Sequence, residues 1–232
     1  LLGLSWPRLL AGKSAWLEAH YSETVYQTIR RAISAVTSLV PFSIAEFLLY
    51  ALTVGSAALL ITRAVQLILR RIPFRRLVFS VSSLLLTAGV ILNLFYVTWG
   101  FNYFREPLSQ RMELEMTARP VDELEAFVLS TAAEAKTLRE TLRENDAGVF
   151  APDESTAALF DKLPAAYAAL AADYPVFQSE PTQAKQIFWS RGLSRQGISG
   201  IYIGLTAEPN VNADQPPLLL YQAAAHEMAH QS

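Results

Sequence analysis

LVFSVSSLLLTAGVILNLFYVTWGFNYF, residues 77–104, contains no charged side chain. About 20 apolar residues in a helix cross about 30 Å of hydrocarbon, with every backbone polar group satisfied inside the segment. The stretch closes on Phe95, Tyr96, Trp99, Phe101, Tyr103 and Phe104, aromatic residues of the kind that seat at headgroup level. It reads as a transmembrane helix, at about 77–101. A second span is expected at about 44–69. Ser43 and Glu46 form the S-x-x-E pattern of a capping box, and Pro41 bars an earlier helical start. Arg63 interrupts the apolar run near its arginine-rich end, where a long side chain can snorkel to the interface. The competing reading is a buried hairpin of a soluble protein.

Between the two runs lies Arg70-Arg71-Ile72-Pro73-Phe74-Arg75-Arg76. Arginines concentrate on the cytoplasmic side of spanning helices, so both flanking segments are expected to face outward. Leu1 is not an initiator Met, and the chain reads as a fragment cut at both ends, with 1–11 the remnant of an earlier span. In the outer segment 12–41, a weakly amphipathic stretch around Thr24–Leu39 suits either an interfacial helix or a cover for the outer domain.

Composition agrees with two unlike parts. Charged residues make up 17% of the 232, against about 25% in soluble domains, and the deficit sits in the first hundred. We therefore divide the chain into a membrane region, 1–104, and an extracytoplasmic domain, 105–232. A net charge of -2 without a basic patch argues against a nucleic-acid partner. There is no cysteine, which removes thiolate chemistry, disulfides and Cys-based zinc sites.

In the outer domain, Pro120 followed by Asp122 and Glu123 starts a helix predicted to end at Asn145–Gly148. A second helix, about Asp153–Asp173, is expected to break or kink at Pro164. Ile187–Trp189 and Gly200–Leu205 read as strands, with Gly192, Gly197, Gly200 and Gly204 at turns. After Pro216-Pro217 the composition is helical to the end.

That last helix carries His226-Glu227-Met228-Ala229-His230. Histidines four apart project from one helix face, a spacing that lets two imidazole nitrogens bind one Zn²⁺. Glu227 is positioned to act on a metal-bound water as general base, the H-E-x-x-H chemistry of metalloproteases. The flanking Ala223, Ala224, Ala225, Met228 and Ala229 are small or apolar, as a buried site helix requires. The competing reading is a pair of surface histidines beside a solvated glutamate. Catalytic zinc takes three protein ligands, and this motif supplies two. His20, the only other histidine, reads as a packing or hydrogen-bonding residue, and Glu208 as a turn or surface residue. The third ligand is expected beyond Ser232.

Tyr21-Ser22 with Tyr26, Pro41-Phe42-Ser43, Trp99–Tyr103, Leu193-Ser194, Gly197–Tyr202, Glu208 with Asn210–Asn212, and Ala225–Gln231 fall in an order that resembles an uncharacterised family of bacterial multi-pass membrane proteins, domain of unknown function 3810. The resemblance implies three spans and a zincin-like domain similar to gluzincin metallopeptidases. It makes His226 and His230 the zinc ligands and Glu227 the general base. The family continues with a Gly-containing stretch and a further glutamate where this chain has Ser232.

The expected fold is therefore an α-rich membrane protein whose transmembrane helices precede an α+β zincin-like extracytoplasmic domain, incomplete at its C-terminus. The expected function is a membrane-anchored zinc metallopeptidase (cofactor Zn²⁺; partners the lipid bilayer and a peptide or protein substrate), multi-pass in the bacterial cytoplasmic membrane. The alternative is a non-catalytic sensor or scaffold whose zincin-like domain binds a ligand without turnover. A transporter is disfavoured, because the spans hold only Arg63 as an interior charge.

Overall fold

The computed structural model describes residues 2–177 and 180–231; readings attached to Leu1 and Ser232 lie outside the described residues. Helix α1 (Leu2–Leu10) leads into a helical stretch of α2 (Ser14–Leu17), a π-helical segment (Glu18–Val25) and α3 (Tyr26–Thr37). Helices α4 (Ile44–Ile68) and α5 (Phe74–Thr98) follow, joined by the arginine loop and packed on each other. After a 3-10 turn (Gly100–Phe104) come α6 (Leu108–Arg111), α7 (Val121–Thr141) and α8 (Thr156–Asp173). The remainder is β1 (Lys185–Ile187), α9 (Ser190–Ser194), β2 (Gly200–Ile203), β3 (Glu208–Asn212) and α10 (Pro217–Ala229). The chain is mostly helical with one small sheet.

Both α4 and α5 are long and apolar enough to cross a membrane. Only 6% of the most apolar window of each is buried inside the protein, so the buried-hairpin alternative does not describe them. Phe79, Leu85, Leu86, Ile61 and Ile68 stand open on their surfaces, an apolar exposure that a soluble domain does not present to water. The α5 helix starts three residues before the expected 77, because Pro73 supplies its extended N-cap. It ends at Thr98, where the chain tightens into the 3-10 turn.

The sheet has the order β1-β3-β2, with β3 parallel to β1 and antiparallel to β2. Its central strand is the one the sequence hid. Glu-Pro-Asn-Val-Asn has little β character, yet all five residues are buried. The Asn212 N–H donates to the Ser199 carbonyl, which sets the alternation and leaves Pro209 opposite Tyr202 at a position making no hydrogen bond to β2. Pairing with β1 begins only at Asn210, so the missing proline N–H breaks no ladder bond. Phe188 and Trp189, expected to extend β1, turn away from the sheet. Helices α8 and α10 cover the sheet through Phe160, Leu163, Tyr167, Val211, Leu220 and Met228.

Two helical expectations are corrected. The α7 helix ends at Thr141 rather than 145–148, because Asn145 caps a tight turn with its Oδ1 and Glu144 bridges to Phe150. Pro164 does not break α8, which runs on to Asp173 from a Ser155 cap.

Residues of the segment 12–41 pack on the C-terminal part of the chain. The Tyr26 hydroxyl donates to the His230 carbonyl (3.1 Å), Arg30 to the Glu180 carbonyl (3.2 Å), and Tyr26 is fully buried. Below it, Arg105 clasps Glu18 at 2.7 Å, with Arg111 at 3.1 Å. Burial alone would raise the Glu18 carboxyl, but the Arg105 hydrogen bonds and the two guanidinium charges outweigh it and hold it below its ordinary value.

Glu208, expected at a turn or surface, is 1% exposed. Its carboxylate accepts from the Ile44 N–H (3.0 Å) and the Ala45 N–H (2.8 Å), capping α4, and receives the Lys185 ammonium at 2.6 Å. Ser43 caps the Glu46 N–H as the sequence indicated, but the Glu46 carboxylate points the other way and accepts from Phe188 (2.9 Å) and Trp189 (2.8 Å). Each body thus supplies one carboxylate to the other's free amides. Glu208→Gln leaves the Lys185 ammonium buried without its counter-charge and sets an amide group against helix N–H donors. The expected cost is about 3–5 kcal/mol, read as a lowered unfolding midpoint in detergent, while Glu134→Gln on exposed α7 stays within about 0.5 kcal/mol.

Candidate metal centre

Pro217 opens α10 and a run of small residues lets it lie against the sheet, with Ala223, Ala224 and Met228 buried there. Its last turn presents the motif. His226 and His230 lie with ring centroids 5.0 Å apart and both remain exposed, whereas Glu227 is buried. The helix ends at Ala229 with His230 as its C-cap, and the Gln231 side chain that follows ties the chain to its surroundings. Fully buried, Gln231 accepts from the Thr182 N–H (2.6 Å) and donates to the Ala207 carbonyl (3.0 Å). The Tyr167 hydroxyl donates to the Ala225 carbonyl, so the helix is pinned on both sides of the motif.

Glu227 lies over the start of β2. A Cβ on Gly200 would come within 2.6 Å of Glu227 Cγ and 2.7 Å of its Oε1. Gly200 was expected to serve a turn, but its φ is not left-handed; its task is this close approach. The Glu227 carboxylate accepts a hydrogen bond from the backbone N–H of Tyr202. By the pairing alternation, Gly200 and Tyr202 turn their backbone groups to the free edge of β2, so one of those edge donors serves Glu227. Burial pushes the Glu227 carboxyl up to about 7 despite that bond. Partial desolvation of the ring between Trp99 and Tyr202, with the neighbouring His226 charge, pushes His230 below its ordinary value. A neutral imidazole is the form that binds a metal.

The cleft in front of these residues has a volume of about 560 Å³. One wall is β2 and the turn after it; another is Phe95, Trp99 and Tyr103 from the end of α5 and the 3-10 turn. Trp99 packs against both Tyr202 (5.7 Å) and His230 (6.2 Å), and Tyr202 stacks on His230 at 6.0 Å. The aromatic run was read as a headgroup anchor alone; nothing in its composition signals that one face lines the site.

The imidazole pair is a donor set of the kind zinc takes, though an incomplete one. Two imidazoles on one face would supply two of the three ligands catalytic zinc takes, with an acceptor carboxylate beside them. Among the described residues no group of three or more His, Cys, Asp or Glu side chains is arranged to hold an ion. Neither earlier residue joins the pair. His20 stacks on Trp16 at 5.0 Å with its Nδ1 on the Trp16 carbonyl, and Glu208 is spent on α4.

The family model described as protein of unknown function, DUF3810, matches residues 21–232. No curated protein matches the chain, and no solved structure matches it.

Gly204 tests the wall. An added Cβ would lie 2.2 Å from Trp99 Cβ, a contact no side-chain rotation relieves. Gly204→Ala is expected to cost about 1–3 kcal/mol and to shift the Trp99 emission as the indole is pushed from β2. Unchanged emission and stability would mean that Trp99 does not pack there.

Proposed function

We propose that this chain, which belongs to the DUF3810 family, is a membrane-anchored zinc metallopeptidase that hydrolyses peptide bonds outside the bacterial cytoplasmic membrane. One observation carries the proposal: two histidines on one helix face open into a cleft, with a buried glutamate between them that is held at the edge of a β-strand. The arginine loop argues for orientation, since it belongs on the cytoplasmic side and residues 105–232 then lie outside. A zincin-like arrangement, similar to gluzincins, is part of the same proposal.

His226 and His230 would hold the ion through their imidazole nitrogens. Zinc supplies, when bound, polarisation of a carbonyl and a water acidified to about pKa 7. Glu227 takes the proton from the attacking water and passes it to the leaving amine nitrogen. Tyr202 and Trp99 hold the His230 ring from two sides. The cleft wall at β2 is the end strand of the sheet, so an extended substrate can align along it through the remaining outward-facing backbone groups.

A second reading, a sensor or scaffold that binds without turnover, is favoured by the missing third ligand among the described residues. Hydrolysis separates the two. With the full natural polypeptide purified in detergent and supplied with zinc, a quenched-fluorescent peptide pool should be cleaved, and Glu227→Gln should slow it by about 10²–10⁴-fold. Cleavage by Glu227→Gln at the unaltered rate removes the glutamate from the chemistry. An absence of cleavage in both proteins leaves the scaffold.

A further inference from the structure

The wall opposite β2 belongs to a helix of membrane-spanning length. Phe95 lies in the last turn of α5, Trp99 at its C-cap and Tyr103 in the turn beyond, at four-residue spacing. One helical turn rises about 5.4 Å, so Phe95 is within a turn of the helix end and the histidine pair faces the same level. Trp99 stands between the two parts, touching Phe95 (6.0 Å) on its own helix and His230 (6.2 Å) across the cleft. Tyr103 is 68% exposed at the rim, and Ile201 is exposed on the strand facing it.

Aromatic side chains at the end of a spanning helix mark the headgroup layer, where an apolar ring body and a polar tip are both satisfied. A peptide lying along β2 would therefore have the bilayer surface as its neighbour. For an unanchored polar peptide, that entry costs desolvation against an aromatic rim. A chain already held at the surface has met that cost and arrives at high local concentration.

Building on the peptidase reading, we infer that the cleft takes the membrane-proximal segment of a polypeptide that is itself anchored in the bilayer in preference to a freely soluble peptide, which it cleaves more slowly. The segment runs extended between β2 and the aromatic end of α5. The bond brought to His226, Glu227 and His230 lies within a few residues of the anchor.

Spacer length tests this, because local concentration alone does not require a short tether. Glu227→Gln in the full natural polypeptide, reconstituted in phosphatidylethanolamine–phosphatidylglycerol vesicles, is offered a benzophenone-bearing peptide pool in three forms. The forms are unanchored, palmitoylated through a two-residue spacer, and palmitoylated through a flexible spacer of about 20 residues. Two extended residues reach about 7 Å, comparable to one helical turn. Only a short spacer holds the segment at the level of the cleft, so the short form should be captured on the order of tenfold more than the long one, with adducts on β2 or Tyr103. Equal capture of the two palmitoylated forms overturns the inference, as does capture confined to the long or unanchored forms, or capture of none. Cleavage of the unanchored pool by the unaltered protein reports on the peptidase reading separately.

Discussion

The structure turns on the exchange of two buried carboxylates between α4 and the small sheet. Glu208 on β3 caps the first amides of α4, and Glu46 on α4 caps the backbone after β1. A helix start has amides without partners, and so does a chain leaving a sheet edge; burying either uncapped costs more than a hydrogen bond is worth. Here each fills the other's vacancy, and Lys185 neutralises one of the charges. The long helices are thereby fixed to the domain through hydrogen bonds that have direction, not only through apolar contact. Because β3 is also the middle strand, α4 and β2 are both placed from the same strand.

The cleft inherits its shape from that arrangement. β3 positions β2, β2 positions the Tyr202 amide, and that amide holds Glu227. On the other side, α5 delivers Trp99 to the ring of His230. Gly200 and Gly204 are small because Glu227 and Trp99 approach the backbone there. The motif helix alone would present two histidines to water; the sheet and α5 make a walled site of them. Tyr26, reaching from the segment before the long helices to the His230 carbonyl, closes the back of it.

Much of this was legible in the sequence. The two apolar helices came from length and lack of charge, the start of α4 from Ser43, and the motif helix from Pro216-Pro217 and the helical composition after them. What the sequence concealed was pairwise. Glu-Pro-Asn-Val-Asn has the composition of a loop, and it becomes a central strand only because β1 begins past Pro209. Glu208 looks like any surface glutamate until α4 is brought to it. Pro164 looked like a break, yet α8 carries it in its interior. Trp99 read as a membrane anchor because the residue type is the same for both tasks. Each of these depends on a partner far away in the chain, which periodicity and propensity do not encode.

The central claim is that His226 and His230 bind one ion together. Zinc-edge X-ray absorption on the zinc-loaded full natural polypeptide examines this most directly, because imidazole rings leave multiple-scattering features that carboxylates and water lack. The account requires at least two imidazoles in the first shell at about 2.0–2.1 Å, with one fewer in His226→Ala and in His230→Ala. A spectrum without imidazole scattering, or one unchanged by both substitutions, would place the metal elsewhere and leave the motif without the chemistry assigned to it.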